Sequence, residues 1–282
     1  MIFVLIAATT TILLTWSPLL LPVTTTAAMY PPSPPLGSLR LANISDLPRI
    51  AVVATAGFYY SPVFGWERPC HRNFPQDTYR SYQSMFAEAI RDPEYIALVA
   101  EDKYEVDESE RTQAIIEPGD DYTVPEPGSK VIVGVATWKL EPGSAHKGQY
   151  MDTDDDKSPN KPIFDGGQGR DKSPYHAKLL DDKCEAAEEK YFEGHQLVDM
   201  LVVHPASWRR GHGTALLNWG MELGSLDLVK QGVIAADMGE KLYLSKGYKK
   251  LDNVIVTDEN DAEKGVKVGI LEFVPSKSTP EL

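Results

Sequence analysis

From residue 36 onward the chain alternates two hydrophobic periods, and the switches between them mark out the elements. Ser38–Ala42 alternates polar and apolar positions, as a half-buried strand does. Ser45, followed by Asp46-Leu47-Pro48, reads as a helix start, with the Ser hydroxyl as cap and Asp46 at the positive end. Leu47, Ile50, Ala51, Ala54 and Phe58 then recur at helical spacing. The aromatic, Pro-containing stretch from Phe58 to Pro69 ends or bends that helix. A second helix is predicted from Gln76 to Ile90, closed by Asp92-Pro93, with Tyr79, Tyr82, Met85, Phe86 and Ala89 on one side.

Strands follow at Tyr95–Ala100 and Val131–Leu140, the two pairing across an acidic stretch. Helical character resumes over His176–Phe192. His195–Val203 is apolar almost throughout, the mark of a strand in the middle of a sheet. A helix over Gly213–Gly224, a strand at Val233–Asp237, a helix at Glu240–Ser245 stopped by Gly247, and a strand at Val266–Val274 complete the order. No internal repeat is visible. The expected fold is therefore a mixed α/β, or α+β, single domain with two surface insertions.

Charge sharpens this division. The 282 residues carry a formal charge of −13, but residues 1–39 hold no charged side chain at all. Residues 101–128 hold ten acids against two bases, and residues 141–194 thirteen against eight. These two segments account for the whole imbalance. The expected domains are a leader and Pro-rich linker over 1–36, a body over 37–276 with insertions at 101–128 and 141–194, and a tail over 277–282. The acidic balance excludes a general nucleic-acid binder. Two cysteines, Cys70 and Cys184, make no disulfide framework and suit a reducing compartment.

The apolar run from Ile2 to Leu21 leaves two readings open. It is a signal peptide or anchor, or it is a leader outside the fold, with Met29 as the true start. No Lys or Arg lies near Met1, and Pro18, Pro22 and the threonines interrupt the run. A cytoplasmic protein is expected on the second reading, and a secretory or membrane-anchored one on the first. The triplet Asn43-Ile44-Ser45 is a glycosylation sequon, a pattern that also arises by chance.

The chemistry concentrates in residues 197–223. A buried strand runs to His204-Pro205, a short loop carries Trp208-Arg209-Arg210, and Gly211-His212-Gly213-Thr214 opens a helix. Glycines let the backbone turn tightly, free N–H groups at a helix start attract an anion, and arginines add charge-assisted hydrogen bonds. A dinucleotide turn is disfavoured, because Leu216 stands where a small residue is needed. A P-loop is excluded by the missing Gly-Lys-Ser/Thr ending. The six histidines and two cysteines show no metal-ligand spacing, so no metal site is expected.

Leu201-Val202-Val203-His204-Pro205 with Arg209-Arg210-Gly211-His212-Gly213-Thr214 resembles the cofactor-binding motif of the GNAT (GCN5-related) N-acetyltransferases. Tyr243-Leu244-Ser245-Lys246-Gly247-Tyr248 resembles the same family's second motif. One departure stands out: Trp208 occupies the position usually held by Gln or Arg, which places an aromatic ring against the cofactor or an adjacent loop. The resemblance implies a mostly antiparallel central sheet flanked by helices. It also implies acetyl-CoA as cosubstrate and transfer of an acetyl group to a primary amine by direct attack. Leu201, Val202 and Val203 would meet the acyl arm, and Arg209, Arg210, Gly211, His212, Gly213 and Thr214 the pyrophosphate. Tyr243 matches the family's general acid. Asp199, two residues before Leu201 and on the same side by alternation, is the candidate base or amine-binding group, or else bonds a neighbouring loop. His204 leads into the turn, and Asp237 lies near the cofactor path or caps its helix. Acids around the mouth would favour a cationic amine. The alternative is a non-catalytic acyl-CoA-binding or protein-interaction module using its acidic insertions.

Overall fold

The computed structural model describes residues 30–151, 163–258 and 261–276. The leader before residue 30 and the tail after 276 lie outside them. A seven-stranded sheet has the order β1-β2-β3-β4-β5-β7-β6. Its strands are β1 (Leu39–Leu41), β2 (Tyr95–Lys103), β3 (Lys130–Lys139), β4 (Gln196–Val203), β5 (Gln231–Ala236), β6 (Lys249–Asp258) and β7 (Asp261–Phe273). Every adjacent pair is antiparallel except β4 with β5. The expected strand at Val131–Leu140 does pair with Tyr95–Ala100, Leu98 lying opposite Ala136. The expected central strand is β4, fourth of seven.

The helices are α1 (Leu47–Phe58), α2 (Pro62–Glu67), α3 (Pro75–Arg91), α4 (Pro174–Tyr191), α5 (His212–Asp227) and α6 (Asp237–Ser245). They form a layer on each face of the sheet. On one face, α1 and α3 bury Leu47, Ile50, Tyr79 and Phe86 against Ala97, Val99 and Val135. Farther along that face, α2 and α4 cover the β5-β7-β6 half through Trp66 and Leu180, joined by Phe192 just past the end of α4. On the other face, α5 and α6 set Leu216, Leu217, Leu223 and Tyr243 over Leu98, Trp138, Val198 and Val233. Each fully buried large side chain stabilises by roughly 1.5–3 kcal/mol. Among the described residues, no helix is long and apolar enough to cross a membrane. Cys70 and Cys184 are both free thiols.

Three details differ from the expected pattern. Ser45 does not cap α1: Asn43 starts a short 3₁₀ turn, accepting from the Ser45 backbone, while Asp46 accepts from the Asn43 backbone. Strand β6 was not expected at all. Its first four residues are exposed and mostly charged, and only Val254 and Val256 turn fully inward, so an edge strand carries half the usual signal. Met85, expected among the apolar side of its helix, is 39% exposed.

The first acidic segment begins inside β2, where Glu101, Asp102 and Lys103 pair with Ile132, Val131 and Lys130. Beyond it the chain is fastened to the body. Glu108 is buried and accepts two bonds from Arg49 of α1, at 2.5 and 2.8 Å. Arg49 also donates to the Ile132 carbonyl and to Tyr122 Oη. The second segment is fastened by Asp171, which accepts from Arg68 and from Thr78 Oγ1, and by Arg170, which grips Asp77 through both carboxylate oxygens. Removing one partner of a buried pair strands the other charge, which costs about 3–5 kcal/mol. Glu108→Ala is therefore expected to lower the free energy of unfolding in urea by about that amount. A loss below about 1 kcal/mol would mean that the segment is not fastened through this pair.

Candidate active site

Strands β4 and β5 run parallel but hydrogen-bond over only three positions, from Gln196 opposite Gln231 to Val198 opposite Val233. They then part. The parting coincides with a bulge in β4: Thr137 pairs with Met200 and Trp138 with Val198, so Asp199 is skipped in the ladder with β3. A bulge bends its strand and re-aims side chains. The edge of β4 beyond Asp199 is thereby left facing a cleft.

The ladder shows which groups face it. The His204 N–H bonds the Val133 carbonyl at 2.8 Å, and Val203 lies opposite Gly134. In an antiparallel ladder the bonded pairs alternate, so the backbone groups of Val202 point to β3, while those of Leu201 and Val203 point away from it, into the cleft. The Val202 side chain packs instead under α1, where Gly57 lets the helix approach. A Cβ at Gly57 would lie 2.3 Å from Val202 Cγ2 and 2.7 Å from the Val203 oxygen.

After a 3₁₀ turn at Pro205–Ser207 comes the basic loop. Arg209 takes φ 66° and Gly211 φ 92°, and α5 begins at His212 with Gly211 as its N-cap. A left-handed residue at 211 suits glycine. The first N–H groups of α5 have no partners within the helix, and they open at the cleft end of β4. A Cβ at Gly213 would stand 3.6 and 3.7 Å from the side chains of Val203 and Leu201.

The side chains of the loop are partly engaged. Arg210 donates to Glu105 at 2.8 Å and to Asp102 at 3.4 Å, and His212 Nε2 lies 3.0 Å from the same Asp102 oxygen. Arg209 is exposed and makes no side-chain ion pair or hydrogen bond among the described residues. The two arginines, equivalent in the sequence, thus differ: one is held by the acidic segment and one points free. Thr214 lies half-buried in the first turn of α5.

Asp199 accepts from Thr137 Oγ1 at 2.7 Å, and the same hydroxyl oxygen accepts from the Met200 N–H. Simple alternation puts Asp199 on the side of Leu201; the bulge breaks this. Asp199 shares the α1 and α4 side with Leu197 and Met200, whereas Leu201 packs on the α5 side with Val198. The residue is exposed, yet protein crowds the carboxyl and pushes its pKa up from the ordinary value; Thr137 and Lys139 pull the other way.

Tyr243 lies on the opposite face, 5% exposed, its ring 5.4 Å from that of Tyr248. Burial raises its phenol pKa, so it holds its proton at neutral pH. Tyr248 in turn donates to Gln231 Oε1 at 2.8 Å. Asp237 begins α6 but makes no side-chain cap bond there; Ala236 is the N-cap.

Leu201, Val203 and Gly211–Thr214 thus meet at one mouth. Val202 turns its backbone to β3, and Asp199 and Tyr243 flank the sheet on opposite sides. Thr137 and Asp102 carry no motif in the sequence. A lone threonine in the otherwise apolar VIVGVATW run was the one available signal. A cavity of about 360 Å³ lies elsewhere, lined by Tyr79, Gln83, Asp121 and Phe164, and has no residue in the cleft. Thr137→Val removes the hydroxyl that favours the charged carboxylate and leaves burial opposed by the charge of Lys139 alone. The Asp199 pKa, followed by NMR titration, is expected to rise further. An unchanged value would show that Thr137 does not set it.

No family model matches the chain. An acetyltransferase from Stachybotrys chartarum (strain CBS 109288 / IBT 7711) is 34% identical over 234 residues, covering 83% of this chain and 90% of that protein. Among solved structures, the chain is similar to a histone acetyltransferase HPA2 and related acetyltransferase from Corynebacterium glutamicum, with TM-score 0.47, 17% identity and coverage of 86% and 98%. It is also similar to the PaiA N-acetyltransferase of Thermoplasma acidophilum in complex with coenzyme A, with TM-score 0.42, 12% identity and coverage of 84% and 97%. With the fungal relative matched over most of both chains, and the motifs at Leu201–Pro205 and Arg209–Thr214 in place at the cleft, the chain belongs to the GNAT acetyltransferases, which use acetyl-CoA.

Proposed function

We propose that this chain transfers the acetyl group of acetyl-CoA to a primary amine, with the donor lying between the parted strands β4 and β5. The observation that carries this reading is the parting itself, which leaves the Leu201 and Val203 backbone groups facing a cleft that ends at the α5 N-terminus. When bound, acetyl-CoA supplies an activated thioester. The chain's part is to bind, orient and move protons. The N–H groups of Gly211, His212, Gly213 and Thr214, with the free Arg209, suit a pyrophosphate. Leu201 and the Val203 N–H suit the acyl arm, and Val202 supports that edge by holding it to β3.

Asp199 is assigned the base, or the group that holds the amine for deprotonation. A carboxyl with a raised pKa is a better proton acceptor at neutral pH than an ordinary one. Tyr243, kept protonated by burial, is assigned the proton for the departing thiolate. Arg210 and His212, gripped by Asp102 and Glu105, shape the turn. The preferred acceptor is a cationic amine, because Asp199 is an exposed acid at the cleft with only Lys139 drawing its pKa down by charge. The body of the protein is 37–276, with the segments 101–128 and 141–194 as its insertions, and its setting is cytoplasmic, in keeping with two free thiols.

Calorimetric titration of acetyl-CoA, followed by a thiol-release assay over a panel of amines, tests the reading; no binding at millimolar acetyl-CoA overturns it. With an amine that is turned over, Asp199→Asn is expected to lower kcat/KM by about 100-fold or more. Because the carboxyl must be ionised to accept a proton, wild-type kcat/KM is expected to rise with pH through a group titrating above the ordinary carboxylate range. Asp199→Asn is expected to lose that limb. A variant that keeps both rate and limb would remove Asp199 from the mechanism. For a cationic amine, the KM is further expected to rise with ionic strength, and a salt-independent KM would count against charge recognition.

A further inference from the structure

The loop that opens onto α5 begins with Trp208, an indole that is 36% exposed. Its Nε1–H donates to the Val203 carbonyl at 2.7 Å. That carbonyl belongs to the edge of β4 that β3 leaves free, so the indole occupies a position which a bound strand or extended ligand would otherwise use. The Trp208 backbone N–H bonds the Pro205 carbonyl at 3.1 Å, so residues 203–208 form a loop closed twice. The ring stands edge-on to Tyr60, with centroids 5.1 Å apart. Tyr60 Oη accepts from the Gln113 N–H at 3.1 Å, which ties the same cluster to the acidic segment. Immediately after Trp208 the backbone enters its unusual stretch, with Arg209 at φ 66°.

We propose that Trp208 is a positioning residue: its indole N–H, bonded to the Val203 carbonyl, holds the 209–212 turn in register with the cleft edge of β4. The inference rests on the acetyl-CoA reading of this cleft. An extended donor must meet two partners at once, the β4 edge with its acyl arm and the α5 N-terminus with its pyrophosphate. The separation of those partners is set by the loop between residues 203 and 211, and the indole bond spans most of that loop. Trp208 acts on the phosphate end through the turn. It also removes the Val203 carbonyl as an acceptor, which leaves the acyl arm the Leu201 groups and the Val203 N–H.

The test compares two donors. Acetyl-CoA uses both ends of the cleft, whereas acetyl-pantetheine, which has no pyrophosphate, uses only the β4 edge. Trp208→Phe keeps a ring against Tyr60 and deletes the N–H. A net hydrogen bond corresponds to about 2- to 12-fold in affinity, so the KM for acetyl-CoA is expected to rise by about that factor. The kcat and the KM for the amine are expected to stay unchanged, and the kcat/KM with acetyl-pantetheine is expected not to fall, since the freed Val203 carbonyl can only add an acceptor to the β4 edge. Equal losses with both donors would show general damage to the fold and overturn the proposal, as would no change with either. A wild-type enzyme that shows no preference for acetyl-CoA over acetyl-pantetheine would overturn the acetyl-CoA reading itself.

A second measurement needs no variant. Trp66, Trp138 and Trp219 are at most 7% exposed, so Trp208 is the exposed indole among the described residues. Titration with CoA is expected to shift the tryptophan emission of the wild type, and pantetheine is expected to leave it in place. Saturating CoA without a shift would overturn the proposal.

Discussion

Two parallel strands that begin paired and then separate are the constraint on which the rest of this molecule depends. After Val198 and Val233, β4 and β5 share no further ladder bond. A sheet interior with unsatisfied backbone groups would be costly. Here the opening is stable because each strand is held firmly from its other side, β4 by β3 and β5 by β7. The bulge at Asp199 serves both requirements: it turns β4 away from β5, and it brings a carboxyl onto the face opposite Leu201 without unpairing Met200 from Thr137.

The acidic segments belong to this arrangement. Glu108 reaches into α1 through Arg49, and Asp102 and Glu105 reach the loop before α5 through His212 and Arg210. Thr112 donates to the Ala56 carbonyl at 3.3 Å, one residue before the glycine that lets α1 press on β4. Carboxylates that look like solvated charge in composition are here spent on backbone placement. Their partners are cations and donors on elements that border the cleft.

The sequence carried the fold in its apolar periods. The central strand, the strand–turn–helix around Gly211 and the two helices before β2 all follow from residues spaced by two or by three and four. What it could not carry was any feature set by pairing in space. Asp199 looked like an alternating residue because a bulge leaves no trace in a single strand; it exists only relative to β3. Strand β6 went unseen because its first four residues are exposed and mostly charged and its partner lies beyond a hairpin. Arg209 and Arg210 are chemically identical, and only the fold decides which one meets Asp102. Asn43 and Ser45 are both good caps by type, and the position of the 3₁₀ turn chose between them.

The engagement of Arg210 also bears on how the anionic donor meets the protein. A guanidinium already bonded to two carboxylates, beside a histidine that shares one of them, projects little field beyond its own neighbourhood. Screening in physiological salt sets in at about 8 Å, and the chain as a whole carries a net charge of −13, so long-range attraction of an anion is weak. The loop is thus a short-range receptor. On the reading proposed above, encounter with the donor would be governed by diffusion and fit, and selectivity for phosphate would arise after contact, from aligned backbone dipoles.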